Sequence, residues 1–182
     1  MIGNDVIDIV QSRKESNWRR KGFIEKIFTP EEQLLIANAI DQEIMVWMLW
    51  SMKEAAYKVY NRQTKIREFS PEKLVCSITS QNDNSYTGNV VCSGNTYYTY
   101  TILSPANIHT IAVSNLLDLT KVEEIENKAI SKDKNGIPFW TNAQNTIQDV
   151  SKSHHGKFEK VVTISISYLK FLKFILKFIA VV

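Results

Sequence analysis

Between residues 43 and 115 the hydrophobic pattern changes period, and this change constrains the fold more than any other feature of the chain. From about Glu43 to Asn61, Trp47, Trp50, Ser51, Glu54, Ala55 and Lys58 recur at three- and four-residue spacing, the repeat of one helix face. From residue 74 to 115 the pattern becomes β-branched and aromatic runs at 75–79, 86–92, 96–103 and 108–114. Asn, Asp, Gly, Ser and Pro separate them. This predicts an antiparallel meander of short strands following a long helix.

Residues 2–10 read as a short apolar strand interrupted by Asp5 and Asp8, and 13–21 as a polar, basic loop or exposed helix. Thr29-Pro30-Glu31-Glu32 predicts a helix start. Thr29 can cap, Pro30 suits the first helical position and Glu32 completes a capping box, so the helix should run to about Ile40. A short helix is expected over 121–130, a tight hairpin turn at Asn135-Gly136, and a turn followed by a strand over 149–167. In the tail, residues 168–182, Lys170, Lys173 and Lys177 share one arc of a helical wheel in an otherwise apolar stretch. A spanning helix needs about 20 apolar residues. The preferred reading is a terminal helix packed on the core or on another subunit, with a membrane-surface helix as the rival.

The chain has 182 residues and a formal net charge of +3, enough for one domain with its own core. The basic residues are dispersed and the positive bias is mild, which argues against a nucleic-acid binder. Cys76 and Cys92, the two cysteines, have no CxxC spacing, so they are read as reduced thiols of a cytoplasmic protein. The N-terminus has no basic segment leading into an apolar run, so no signal peptide is expected.

Asp5 stands in an apolar strand after Gly3. A carboxylate there needs a partner, because desolvating an unpaired charge is costly. A divalent cation would serve, as would simple exposure at an N-terminal turn. Glu54 and Lys58, four residues apart, share one helix face. They form either a surface ion pair or a metal-binding carboxylate beside a phosphate-binding cation. Magnesium takes one or two carboxylates plus substrate phosphates and waters, a set that Asp5 and Glu54 would supply. Strand alternation points Asp8 away from Asp5, so two protein carboxylates are expected at the site. Ser151-Lys152-Ser153-His154-His155-Gly156-Lys157 offers hydroxyls, imidazoles and lysines suited to a phosphate, or is simply a polar turn.

Five segments in order resemble the 4′-phosphopantetheinyl transferase superfamily in its holo-acyl-carrier-protein synthase-like branch. They are Ile2-Gly3-Asn4-Asp5-Val6-Ile7-Asp8, Phe28-Thr29-Pro30-Glu31-Glu32, Trp50-Ser51-Met52-Lys53-Glu54-Ala55-Ala56-Tyr57-Lys58, Lys132-Asp133-Lys134-Asn135-Gly136-Ile137-Pro138 and Val150-Ser151-Lys152-Ser153-His154. The resemblance implies an α+β fold, an antiparallel sheet packed on a long helix, in a single domain spanning 1–182. Residues 70–118 would be an inserted β meander.

The resemblance also implies a reaction. Phosphopantetheine would pass from coenzyme A to a serine of an apo acyl carrier protein or related carrier domain, with Mg2+ as cofactor and adenosine 3′,5′-bisphosphate as the other product. By that resemblance Asp5 and Glu54 are the metal ligands, and Glu54, Asp5 and Lys58 the catalytic set. Lys53, Lys58, Ser151, Ser153 and His154 are expected at the coenzyme A phosphates. Which carboxylate accepts the serine proton is left open. Arg13, Arg19, Arg20 and Lys21 are candidate contacts for an acidic carrier, or a solvated loop. Relatives with one copy of the motif set form trimers, which implies a homotrimer; the inserted segment would preserve, alter or replace that assembly. The competing class is a non-catalytic relative that binds coenzyme A or a carrier without transfer.

Overall fold

The computed structural model describes residues 1–126, 129–141 and 145–165. Strand β1 (Ile2–Asp8) runs into helix α1 (Ile9–Glu15), followed by α2 (Phe23–Ile27), α3 (Pro30–Asn38) and the long α4 (Gln42–Thr64). The meander comprises β2 (Val75–Asn82), β3 (Ser85–Cys92), β4 (Asn95–Leu103) and β5 (Asn107–Val113). Then come β6 (Val122–Glu124), β7 (Ser131–Lys132), β8 (Pro138–Thr141), β9 (Ile147–His155) and β10 (Phe158–Ile164). They build two antiparallel five-stranded sheets, ordered β1-β5-β4-β3-β2 and β6-β10-β9-β8-β7. The architecture is α+β.

The helix starts follow their caps. Thr29 and Glu32 form the reciprocal capping box at the head of α3, with Pro30 in its first turn. Asp41 accepts from the Ile44 N–H at the head of α4. The first strand stops at Asp8 because the Asp8 carboxylate caps α1, accepting from the N–H groups of Val10 and Gln11. Of the helix expected over 121–130, the described residues 121–126 and 129–130 are not α-helical. A 3-10 turn at Leu116–Lys121 leads into β6, which pairs with β10 from Val122↔Ile164 to Glu124↔Val162. Pairing across strands overrides the weak local preference of so short a segment. The lysine-striped tail lies outside the described residues.

One face of the first sheet receives α4. Val46, Leu49, Met52, Ala55, Ala56 and Val59 pack against Val90, Tyr97, Ile108 and Ala112 from the sheet. Gly3 permits this approach: a Cβ at that position would run into the Ala55 carbonyl. On the opposite face, Ile2 and Val113 close a second cluster with Val162 of the other sheet. The meander of segment 70–118 is joined to the rest of the fold through β5, which pairs with β1 along its whole length.

Three cations of α4 tie it to its surroundings. Lys53 is fully buried and donates to Glu32 at 2.7 Å and to the carbonyls of Pro71 and Leu74. Glu32, also fully buried, accepts in addition from the N–H groups of Thr29 and Cys76. Arg62 donates to Asp149 at 2.9 Å and to the carbonyls of Pro138 and Val150. Lys58, between them, turns toward β1.

Candidate active site

The site begins at the seam between the two sheets. The outer edge of β1 is not paired through backbone. Its alternate N–H groups, on Asn4, Val6 and Asp8, donate to side chains of β9: Ser151 Oγ at 2.8 Å, Ser153 Oγ at 3.1 Å and His155 Nδ1 at 2.9 Å. The period of two in both strands brings residues 4, 6 and 8 opposite 151, 153 and 155. The buried N–H groups are thereby satisfied, as buried donors must be.

The same alternation turns Asp5 to the α4 face. Asp5 Oδ1 accepts from Ser153 Oγ at 2.9 Å and from Lys58 Nζ at 3.3 Å, while Lys58 also donates to the Asn4 carbonyl at 2.7 Å. Asp5 Oδ2 and both Glu54 carboxylate oxygens accept no hydrogen bond among the described residues. Burial, followed by the charge on Asp5, pushes Glu54 up to about 7 against the opposing pull of Lys58. Asp5 and Glu54 line one pocket of about 210 Å³ together with Trp47, Trp50, His154 and His155.

Two carboxylates that repel each other, with three oxygens free of donors, form a donor set suited to a hard divalent cation. No group of three or more His, Cys, Asp or Glu side chains of metal-binding geometry exists among the described residues. Magnesium needs none when phosphates and waters complete its shell. Asp8 is occupied elsewhere, capping α1 and accepting from the Lys157 N–H.

The structure brings Asp5, Glu54, Lys58, Ser153 and His154 to this seam, with His154 exposed on the pocket wall. It does not bring Lys53 there. Expected among the coenzyme-binding residues, Lys53 points away from Glu54, and its three donors are spent inside the core on Glu32, Pro71 and Leu74. A one-residue offset from Glu54 on a helix turns the side chain through about 100°, which is why the two part company. Ser151 and Ser153, expected at the phosphates, are buried and turned into the strand seam, with their oxygens engaged by backbone N–H groups of β1.

Glu15 escaped the sequence reading of the site, and His155 entered it only as part of the candidate phosphate-binding run. His155 Nε2 lies 3.0 Å from Glu15 of α1, and both residues line the pocket. The signal was the alternation in β9, which groups residue 155 with 151 and 153. Of the basic candidates for carrier contact, Arg13 is engaged by Glu43, while Arg19, Arg20 and Lys21 are exposed.

The pairing of a β1 aspartate with a helix glutamate and lysine coincides with a family match: the model of the 4′-phosphopantetheinyl transferase superfamily matches residues 1–113, a span that holds Asp5, Glu54 and Lys58. The chain belongs to the 4′-phosphopantetheinyl transferase superfamily. Among solved structures it is similar to the holo-[acyl-carrier-protein] synthase of Thermotoga maritima, at 11% identity, over 95% of this chain and 88% of that one, with a TM-score of 0.44. So distant a likeness bears no weight in the assignment. No curated protein matches the sequence. In the superfamily setting the pocket beside Asp5 and Glu54 is the candidate transfer site. No helix among the described residues is long and apolar enough to cross a membrane.

Proposed function

We propose that this superfamily member transfers 4′-phosphopantetheine from coenzyme A to a serine hydroxyl of an apo acyl carrier protein or related carrier domain. The observation that carries the reading is the buried Asp5 and the half-buried Glu54 lining one pocket, with donor-free oxygens and with Lys58 held on Asp5. Asp5 and Glu54 would hold a magnesium ion, which when bound supplies positive charge against the pyrophosphate and the leaving phosphate.

The serine oxygen forms a bond to the phosphorus that carries the pantetheine arm, and the bond from that phosphorus to the bridging oxygen breaks. Adenosine 3′,5′-bisphosphate departs with the electron pair. Lys58 adds a second positive charge at the growing anion. Glu54 accepts the serine proton, directly or through a water, since its oxygens are not committed to protein donors, unlike Asp5 Oδ1. His154, exposed on the pocket wall, would contact the coenzyme phosphates. Arg19, Arg20 and Lys21 offer exposed positive charge to an acidic carrier. The substrates put the reaction in the cytoplasm, and a homotrimer is the assembly we propose.

The decisive test is intact-mass spectrometry of apo carrier proteins incubated with the chain, coenzyme A and Mg2+, against an EDTA control. A metal-dependent gain of one phosphopantetheine is expected. No gain on any carrier, from a sample that binds coenzyme A, would instead identify a non-catalytic binder.

A further inference from the structure

Ser153 differs from the other two residues of the seam. Ser151 and His155 each take one N–H of β1, and neither is hydrogen-bonded to Asp5 or Glu54 among the described residues. Ser153 takes the Val6 N–H at 3.1 Å and reaches Asp5 Oδ1 at 2.9 Å. A hydroxyl has one proton. With a backbone donor occupying its acceptor side, that proton is directed at Asp5. Val6 itself is held in register by β5, opposite His109, so the donor that fixes the hydroxyl cannot drift.

We infer that Ser153 is a positioning residue for Asp5, setting the carboxylate plane so that Oδ1 is retained on the β9 side with Lys58 while Oδ2 stays free for a cation. The terminal torsion of an aspartate is broad and roughly two-fold. Lys58 alone, on a flexible stem and at 3.3 Å, restrains it weakly. The Ser153 bond comes from a buried side chain on a paired strand, and outer hydrogen bonds of this kind orient metal-binding carboxylates. This gives the serine of the Ser-x-Ser-His run a role at the cation in place of one at the coenzyme phosphates. It rests on the transfer reading, which makes Asp5 a cation ligand.

The test is Mn2+ binding to the full chain with coenzyme A present, followed by the EPR signal of the free and bound ion, after thermal melting has shown each variant folded. Ser153→Ala should weaken Mn2+ binding about 10-fold, the usual loss for an outer-shell carboxylate partner. Ser151→Ala, which removes an equivalent seam bond without touching Asp5, should bind Mn2+ as the unaltered chain does. If Ser153→Ala fails to fold, Ser153→Cys, of similar size and a weaker donor, supplies the same comparison. Equal weakening in both serine variants, or full binding in Ser153→Ala, overturns the inference while leaving the transfer reading intact. An unaltered chain that binds no Mn2+ overturns both.

Discussion

Glu54 is pulled in two directions, raised by burial and Asp5 and lowered by Lys58. Burial and the neighbouring Asp5 raise it to about 7, so the metal-free fold prefers it protonated. A carboxyl whose folded value is raised contributes stability at low pH, and loses that contribution as pH climbs from its unfolded value through about 7. At pH 8 the charged Glu54 therefore costs the metal-free protein on the order of 3 kcal/mol. Glu54→Gln should abolish transfer and yet raise the melting temperature of the metal-free chain at pH 8, a gain that shrinks toward pH 5. An unchanged or lower melting point at pH 8 would show that Glu54 is not repelled as described. His109 behaves in the opposite sense. Burial first, then Lys160, hold it down at about 4, and its Nε2 lies 3.3 Å from the Asn4 amide nitrogen. Its stabilising contribution is complete above the unfolded value of about 6.5 and is lost as pH falls through that value toward 4. Because this rise and the Glu54 fall offset each other between about pH 4.5 and 6.5, His109→Gln should leave the Glu54 fall uncovered, so that stability in urea melts drops with pH across that range more steeply than in the unaltered chain. At this scale the sequence disclosed Asp5, Glu54 and Lys58, because a carboxylate in an apolar strand and an i, i+4 pair are local signals. It could not disclose that Lys53 turns inward, since the partner Glu32 lies 21 positions away.

At the scale of elements, Glu32 joins three of them. One carboxylate caps α3, accepts from the β2 backbone at Cys76 and pairs with Lys53 of α4. Removing one partner of a buried pair leaves the other charge uncompensated, at a cost of about 3–5 kcal/mol. Glu32→Ala should lose about that much stability in denaturant titrations, and Lys53→Met combined with Glu32→Met should lose less than Glu32→Ala alone. A double variant weaker than the single one would mean that the backbone contacts of Glu32 outweigh the ion pair. The elements themselves were largely legible. The capping box, the four-strand meander and the long helix follow from local periodicity and caps. Where the helix was expected, Val122–Glu124 form β6 by virtue of β10, a partner some 40 positions on that no local pattern announces.

For the whole molecule, the geometry of the site depends on how closely α4 approaches β1, and Gly3 sets that distance. Gly3→Ala would press a methyl group into the Ala55 carbonyl and part the strand carrying Asp5 from the helix carrying Glu54. Loss of cooperative melting, or of Mn2+ binding in protein that still melts, is expected; a variant indistinguishable from the original chain would contradict the contact. The seam between the sheets was invisible in the sequence for a related reason. Ser151, Ser153 and His155 look like a polar turn until β1 is laid beside them, and β1 lies 147 positions earlier in the chain. That separation has a consequence for biogenesis. Ribosomes add about 5–20 residues per second. The outer N–H groups of β1 therefore exist for about 7–30 s before the side chains that satisfy them have been made. Once β5 has been made and has paired with β1, and until β9 follows about 40 residues later, β1 presents an open strand edge, the kind of surface on which nascent chains pair with one another. The vulnerable stage in the life of this protein precedes its completion, and chaperones that cover strand edges would act then, not on the finished fold.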